Sequence, residues 1–170
     1  VPNENPVSLC GGIWFSNANI WNSAQDAVRI RNNAVDIVFR DCWMEWANNF
    51  FNIVQQTDIE IIVDIKLYNV GTSSSVPQYG DSRFLRCRAF DTGNAPLLVY
   101  FSATGCTAYN PGATHNIVYT KGTNRSINSY LSQAIFDSCS FRGASEAVAT
   151  SDTVDSNFFF TGRTEARNSS

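Results

Sequence analysis

A short pattern that recurs along the chain constrains the fold more than any other feature of the sequence. It has the form apolar-x-x-Cys-x-apolar and occurs as Phe39–Met44, Phe84–Ala89, Ala103–Ala108 and Phe136–Phe141. Phe15–Ile20 repeats it with alanine in place of cysteine, and Asp64–Asn69 is a degenerate copy. The key positions of the copies are 18, 42, 67, 87, 106 and 139, so their separations are 24, 25, 20, 19 and 33 residues. A period of about 20–25 residues is typical of proteins that stack one structural unit.

The segments between the turns have the composition of short β-strands. Ile59–Val63, Leu97–Phe101 and Asn157–Phe160 are rich in β-branched or aromatic residues and are bounded by Asn, Gly or Pro. Helical periodicity is weak. The sequence therefore predicts an all-β fold, a right-handed parallel β-helix (solenoid) of about six to seven rungs, in which equivalent residues of neighbouring rungs form ladders. The inward and outward alternation changes across Arg40-Asp41, Leu85-Arg86 and Asp137-Ser138, and we expect the chain to bend at each of these steps.

The same pattern predicts how the chain is divided. Residues 1–10 are predicted to be a linker or lead-in segment, residues 11–163 the β-helix domain, and residues 164–170 a tail. The 33-residue separation and the turn-rich stretch Lys121–Ser126 predict an insertion near residues 119–130. The ends of such a stack are exposed sheet edges, so we expect flanking domains or oligomerisation.

Composition argues against several classes of function. The net charge is −3 and the basic residues are scattered, which gives no expected surface for nucleic acid. No apolar run approaches the roughly 20 residues of a transmembrane helix, so no membrane insertion is expected. The five cysteines form no CxxC motif and His115 is the single histidine, so we predict no metal and no cofactor. Most of the cysteines are interpreted as small buried apolar residues.

Residues at fixed offsets after the key positions are predicted to form one outward face. The residues one position after are Asn19, Trp43, Tyr68, Arg88, Thr107 and Ser140, and those three positions after are Trp21, Glu45, Val70, Phe90, Tyr109 and Arg142. Exposed aromatic patches mark binding surfaces, and flat rings beside polar groups suit sugar rings. We therefore predict a substrate-binding set of Trp21, Trp43, Tyr68, Arg88 and Tyr109. A subunit interface has the same composition and stays an alternative.

Two acidic residues on this face are candidates for catalysis. Glycosidases place two carboxyl groups roughly 5–10 Å apart. Glu45 and Asp91 would lie two rungs apart, about 10 Å, and are the predicted acid and base. Asp41 is interpreted as a turn residue. No phosphate-binding loop, nucleophile elbow or metal motif occurs.

The cysteine ladder, the Asn-rich turns and the outward aromatic residues resemble the pectate-lyase-like superfamily of right-handed parallel β-helices. Within it, the sequence is most similar to the β-helices of bacteriophage tailspikes, over roughly residues 11–163 and in the repeat rather than in a motif. The resemblance implies a homotrimer of the virion tail, folded in a reducing cytoplasm, that binds a bacterial surface polysaccharide. It also implies, in many such proteins, a depolymerase activity by hydrolysis or elimination.

Other features limit what the resemblance implies. The Asn-Thr-Asp, Asp-Asp and Gly-His-Gly signatures of polygalacturonases are absent, as is a cluster of acidic calcium ligands, which argues against pectinase activity. Two alternatives without catalysis stay open. One is a structural trimerising shaft, and the other is an adhesin passenger segment.

Overall fold

A computed structural model describes residues 10–21, 26–45, 47–73, 83–90, 95–109, 115–121, 130–151 and 155–167. The regular structure in these ranges consists of β-strands, none of them longer than eight residues. They are β1 (Cys10–Ser16), β2 (Asn19–Trp21), β3 (Asp26–Ile30), β4 (Ala34–Arg40), β5 (Trp43–Glu45), β6 (Asn49–Val54), β7 (Ile61–Tyr68), β8 (Gly71–Ser73), β9 (Arg83–Arg88), β10 (Leu97–Thr104), β11 (Thr107–Tyr109), β12 (His115–Lys121), β13 (Tyr130–Asp137), β14 (Ser140–Arg142), β15 (Ala144–Ser151), β16 (Asp155–Thr161) and β17 (Glu165–Arg167). Nowhere in these ranges is there a helix with the length and apolarity needed to cross a membrane.

The strands form three parallel sheets, because each strand pairs with the strand three places further along the chain. Sheet A has the order β1-β4-β7-β10-β13-β16, and sheet B has the order β2-β5-β8-β11-β14-β17. Sheet C has the order β3-β6-β9-β12-β15. The chain therefore visits the three sheets in turn, and sheet B is built entirely from three-residue strands.

A single residue with a left-handed backbone makes each bend from sheet A to sheet B. These residues have φ values between 50° and 64° and are Asn17, Asp41, Asn69, Gly105, Ser138 and Gly162. Asn, Asp and Gly adopt this conformation most readily. The bends also stack on one another, since the Asp41 amide donates to the Tyr68 carbonyl oxygen at 2.9 Å and the Asn69 amide to that of Thr104 at 3.0 Å. The bends predicted at Arg40-Asp41 and Asp137-Ser138 are confirmed. The bend predicted at Leu85-Arg86 is wrong, because both residues lie inside the continuous strand β9.

Between the sheets lies a core of phenylalanine and aliphatic side chains. The buried rings of Phe84, Phe101, Phe136 and Phe141 contact one another, mostly edge to face, with centroids 5.3–6.2 Å apart. Fully burying such a side chain stabilises the fold by about 1.5–3 kcal/mol. The core also contains Cys42, Cys87, Cys106 and Cys139 as free thiols, which confirms the interpretation of most cysteines as buried apolar residues.

The strand register shows that the predicted ladder was wrong at two of its six positions. In sheet B the partners are Asn19 with Trp43, Trp43 with Gly71, Gly71 with Thr107, Thr107 with Ser140, and Ser140 with Glu165. Equivalent residues are therefore 24, 28, 36, 33 and 25 positions apart. The strand of sheet B that pairs with both Trp43 and Thr107 is β8, and the residue directly before β8 is Val70, not the predicted Leu67. Leu67 pairs with Phe39 and Ala103 in sheet A, and Cys87 pairs with Ile53 in sheet C.

The fold class predicted from the sequence needs correction. The structure shows an all-β fold of three parallel sheets, and the prediction of a right-handed parallel β-helix (solenoid) of about six to seven rungs is wrong. In the described part of the chain no sheet closes into a barrel and no solenoid is shown. The physical reason lies in the ladder. A cysteine with apolar neighbours at alternate positions can lie either in the middle of a straight strand or directly after a bend. The sequence pattern does not distinguish the two positions, so Cys87 was aligned with the residues that follow the bends, although it lies inside a strand of sheet C.

Candidate functional site

The outer face of sheet B carries two columns of side chains. In the strands β2, β5, β8, β11 and β14 the middle residue points to the core, whereas the first and third residues point outward, as in the strand Trp43–Glu45. The first column contains Asn19, Trp43, Gly71, Thr107, Ser140 and Glu165, and the second contains Trp21, Glu45, Ser73, Tyr109 and Arg142. Neighbouring residues of a column are about 4.8 Å apart, the spacing of hydrogen-bonded strands.

This face brings together part of the predicted binding set. Trp21, Trp43 and Tyr109 lie on it with side chains that are 65%, 38% and 47% exposed, and Glu45 lies beside them. Exposed rings in register with polar residues are what the sequence analysis predicted for these positions.

The other predicted residues lie elsewhere. Tyr68 is the last residue of β7 in sheet A, where the Arg40 guanidinium lies 4.8 Å from the centroid of its ring. Arg88 is the last residue of β9 in sheet C and is paired with Val54. The predicted catalytic residue Asp91 lies outside the described residues. Sheet B places Gly71 and Ser73 where the sequence analysis expected Tyr68 and Val70.

Trp43 is held in a defined position on this face. Its ring leans across the neighbouring strand onto Gly71, and a Cβ atom added to Gly71 would overlap the six-membered part of the indole. Its Nε1 atom donates a hydrogen bond of 2.6 Å to Oε1 of Glu45. The indole ring can therefore pack over Gly71 because glycine has no side chain, and the hydrogen bond to Glu45 fixes the direction of the indole N–H.

A cleft of about 300 Å³ lies beside Trp43 and runs across four strands, with Thr72 of β8 among its lining residues. Trp43 of β5 lines one side, Ser140 and Arg142 of β14 line the other, and Thr107 and Tyr109 of β11 lie between them. Its volume is at the lower end of the range for small-molecule sites. It combines two aromatic rings, the hydroxyl groups of Thr72, Thr107, Tyr109 and Ser140, and one guanidinium group, which suits a ligand with an apolar face and polar edges.

The described carboxylates on this face are too far apart to form a glycosidase pair. Glu45 lies on β5 and Glu165 on β17, four strand spacings away, or about 19 Å. A glycosidase pair needs roughly 5–10 Å. Glu45 accepts the Trp43 N–H, and Oε1 of Glu165 accepts a 3.4 Å hydrogen bond from the Ser140 hydroxyl. In this arrangement Glu45 orients an aromatic ring.

The cysteines beneath the face belong to the core. The hydrogen bond with Cys139 and burial together raise the pKa of the Cys106 thiol. The Cys139 thiol donates to the carbonyl oxygens of Ala103 and Asp137, each at 3.4 Å. Among the described residues, no group of three or more His, Cys, Asp and Glu side chains is placed to hold a metal ion.

The turn residues were the signal in the sequence that could have given the correct face. Each sheet B strand except the last begins two positions after a left-handed residue, as Trp43 follows Asp41 and Gly71 follows Asn69. Aligning the repeats on these Asn, Asp, Gly and Ser residues, instead of on the cysteines, would have placed Gly71 beside Trp43.

Comparison with known proteins identifies no relative. No protein-family model matches the chain, and no curated protein or solved structure is significantly similar to it.

Proposed function

We propose that the chain binds a bacterial surface polysaccharide through the outer face of sheet B, as a segment of tailspike type. One observation carries the proposal: Trp21, Trp43 and Tyr109 project from a single face and two of them line a cleft with hydroxyl groups. Sugar rings present C–H faces that stack on aromatic rings, and their hydroxyl groups need polar partners.

The electrostatic character of the chain favours a glycan over a nucleic acid. Its net charge is −3, and nucleic-acid affinity depends on neutralising many phosphates with basic residues. Among the described residues that line the cleft, Arg142 is the one basic residue. We propose binding without cleavage by the described residues, because Glu45 has no second described carboxylate within catalytic distance on this face.

Binding is tested by titrating the protein with capsule and O-antigen preparations in a calorimeter and comparing two tryptophan variants. We expect Trp43→Ala to weaken binding at least tenfold, since a central aromatic anchor typically contributes about 2 kcal/mol. Trp14→Ala is the matched control, because Trp14 is 70% exposed on the edge strand β1 of sheet A. Equal loss in both variants, or no binding by the parent protein to any preparation, would contradict the proposal.

Catalysis is tested separately with Glu45→Gln. Gel filtration of a bound polysaccharide before and after incubation shows whether the chain shortens it. Glu45→Gln should leave any shortening unchanged, because Glu45 is proposed to orient Trp43. If Glu45→Gln binds the polysaccharide but no longer shortens it, Glu45 acts as the catalytic acid.

A second candidate is a homotrimeric shaft whose aromatic residues are buried between subunits. The observation that favours it is the exposure of Trp14 and Phe159 on sheet A, where they are 70% and 47% exposed. Light scattering gives the oligomeric mass, and quenching by iodide reports whether the tryptophans are covered. A trimer with unquenched tryptophans and no affinity for glycans would favour the shaft over the binding surface.

A further inference from the structure

Arg142 gives the cleft a positive charge that the neighbouring residues do not neutralise. Its side chain is exposed on β14, and it forms no salt bridge with any described residue. Two other described cations differ from it, since Arg29 pairs with Asp26 at 3.6 Å and Lys66 with Asp64 at 3.4 Å. A guanidinium group at the wall of a cleft can therefore offer its donors to a ligand.

The chemistry around Arg142 defines which anion would fit. A guanidinium group binds a carboxylate through two parallel N–H···O bonds. The cleft holds other groups beside this guanidinium. They are the aromatic rings of Trp43 and Tyr109 and the hydroxyl groups of Thr107 and Ser140. Trp43 and Arg142 lie three strand spacings apart, or about 14 Å. A short stretch of polysaccharide with a carboxylate on one of its sugar rings can therefore use all three features.

The overall charge restricts how densely the acidic units can be spaced. The chain carries a net charge of −3, so a polymer with a charge on every unit is repelled at long range. Within the cleft Arg142 supplies one positive charge, which matches one carboxylate.

We propose that the cleft between Trp43 and Arg142 selects an acidic sugar, a uronic or sialic acid, that is flanked by neutral sugars in the polysaccharide. This inference rests on the proposed glycan-binding function and names its substrate class. Arg142 binds the carboxylate, and Trp43 stacks on the ring of a neighbouring unit of the same polysaccharide.

The test compares native and carboxyl-reduced forms of the same glycans. The probes are heparosan oligomers, in which glucuronate alternates with a neutral N-acetylhexosamine, oligomers of sialic acid, and neutral dextran oligomers. Reduction converts each carboxylate to a primary alcohol and leaves the other hydroxyl groups in place. The same pairs are prepared from every capsule or O-antigen preparation that binds the protein.

We expect the protein to bind native acidic oligomers at least tenfold more tightly than their reduced forms, with heparosan ahead of the sialic acid polymer. Arg142→Gln should abolish this preference, and Arg142→Lys should retain only part of it because lysine lacks the fork. The matched control is Arg163→Gln, which makes the same charge change at an exposed turn outside the cleft.

The outcomes separate the two proposals. Equal binding of native and reduced forms, binding of neutral glycans alone, or an unchanged preference in Arg142→Gln overturns the acidic-sugar inference and leaves glycan binding intact. A preference lost equally in Arg163→Gln overturns it as well, because general charge then explains the effect. Failure of every glycan to bind removes both proposals.

Discussion

Replacing Gly71 with alanine tests whether Trp43 is seated as the structure shows. The added methyl group would overlap the indole ring, so the ring must rotate away and lose its bond to Glu45. Trp43 is 38% exposed, so about 150 Å² of its side chain is covered, which corresponds to at most about 4 kcal/mol. If the ring keeps half of this contact elsewhere, the free energy of unfolding falls by about 2 kcal/mol and Tm by about 4–8 °C.

The assay is a double-mutant cycle between Gly71→Ala and Trp43→Ala, measured by thermal unfolding and by glycan affinity. We expect Gly71→Ala to weaken glycan binding at least tenfold in the parent protein. In the Trp43→Ala background the same change should cost nothing in stability, because the overlapping ring is gone. Ser73→Ala, on the same strand and face, is the control and should change stability by less than about 0.5 kcal/mol. An equal cost of Gly71→Ala in both backgrounds would refute the reasoning.

Three further predictions concern the core, a bend and a surface pair. Phe136→Ala should lower the free energy of unfolding in urea by about 3–5 kcal/mol, because a buried ring leaves a cavity; a loss below 1 kcal/mol would contradict the packing. Asn69→Val should cost about 2 kcal/mol and Asn69→Gly less than half of that, because φ at this residue is 50°; equal costs would show that the backbone conformation is not responsible. The pKa of Lys66 is raised from 10.5, mainly by the charge of Asp64 and further by Asp36. The stabilisation from this pair is therefore full below pH 10.5 and is lost as the pH rises through the folded pKa. Asp64→Asn should lower the pKa of Lys66, followed by NMR of its side-chain nitrogen, more than Asp36→Asn does.

The sequence by itself determined the local features of this protein. Alternation of apolar residues made the segments strands, and a short polar residue before Cys42 or Cys139 marked each bend. The buried character of the cysteines also followed from their apolar neighbours. These features are local because they depend on backbone preferences and on which side chains avoid water within a few residues.

The candidate site was only partly visible in the sequence. Trp21, Trp43, Glu45 and Tyr109 were placed on one face because the residues around Ala18, Cys42 and Cys106 share the same local pattern, which can be aligned without structure. The cleft itself could not be foreseen. It depends on the absence of a side chain at Gly71. The role of this glycine is visible only once the structure places the ring of Trp43 over it.

Only the tertiary structure decided which strands are neighbours. The segments between equivalent residues vary from 24 to 36 positions, so no fixed period connects one sheet B strand to the next. Cys87 has the same apolar neighbours as the true column members, whereas Leu67 lies in a degenerate copy of the pattern. Pairing between strands places Leu67 in sheet A and Cys87 in sheet C. The register describes how two paired strands are aligned. The two-residue alternation of side chains within one strand does not determine which residues of another strand it will face.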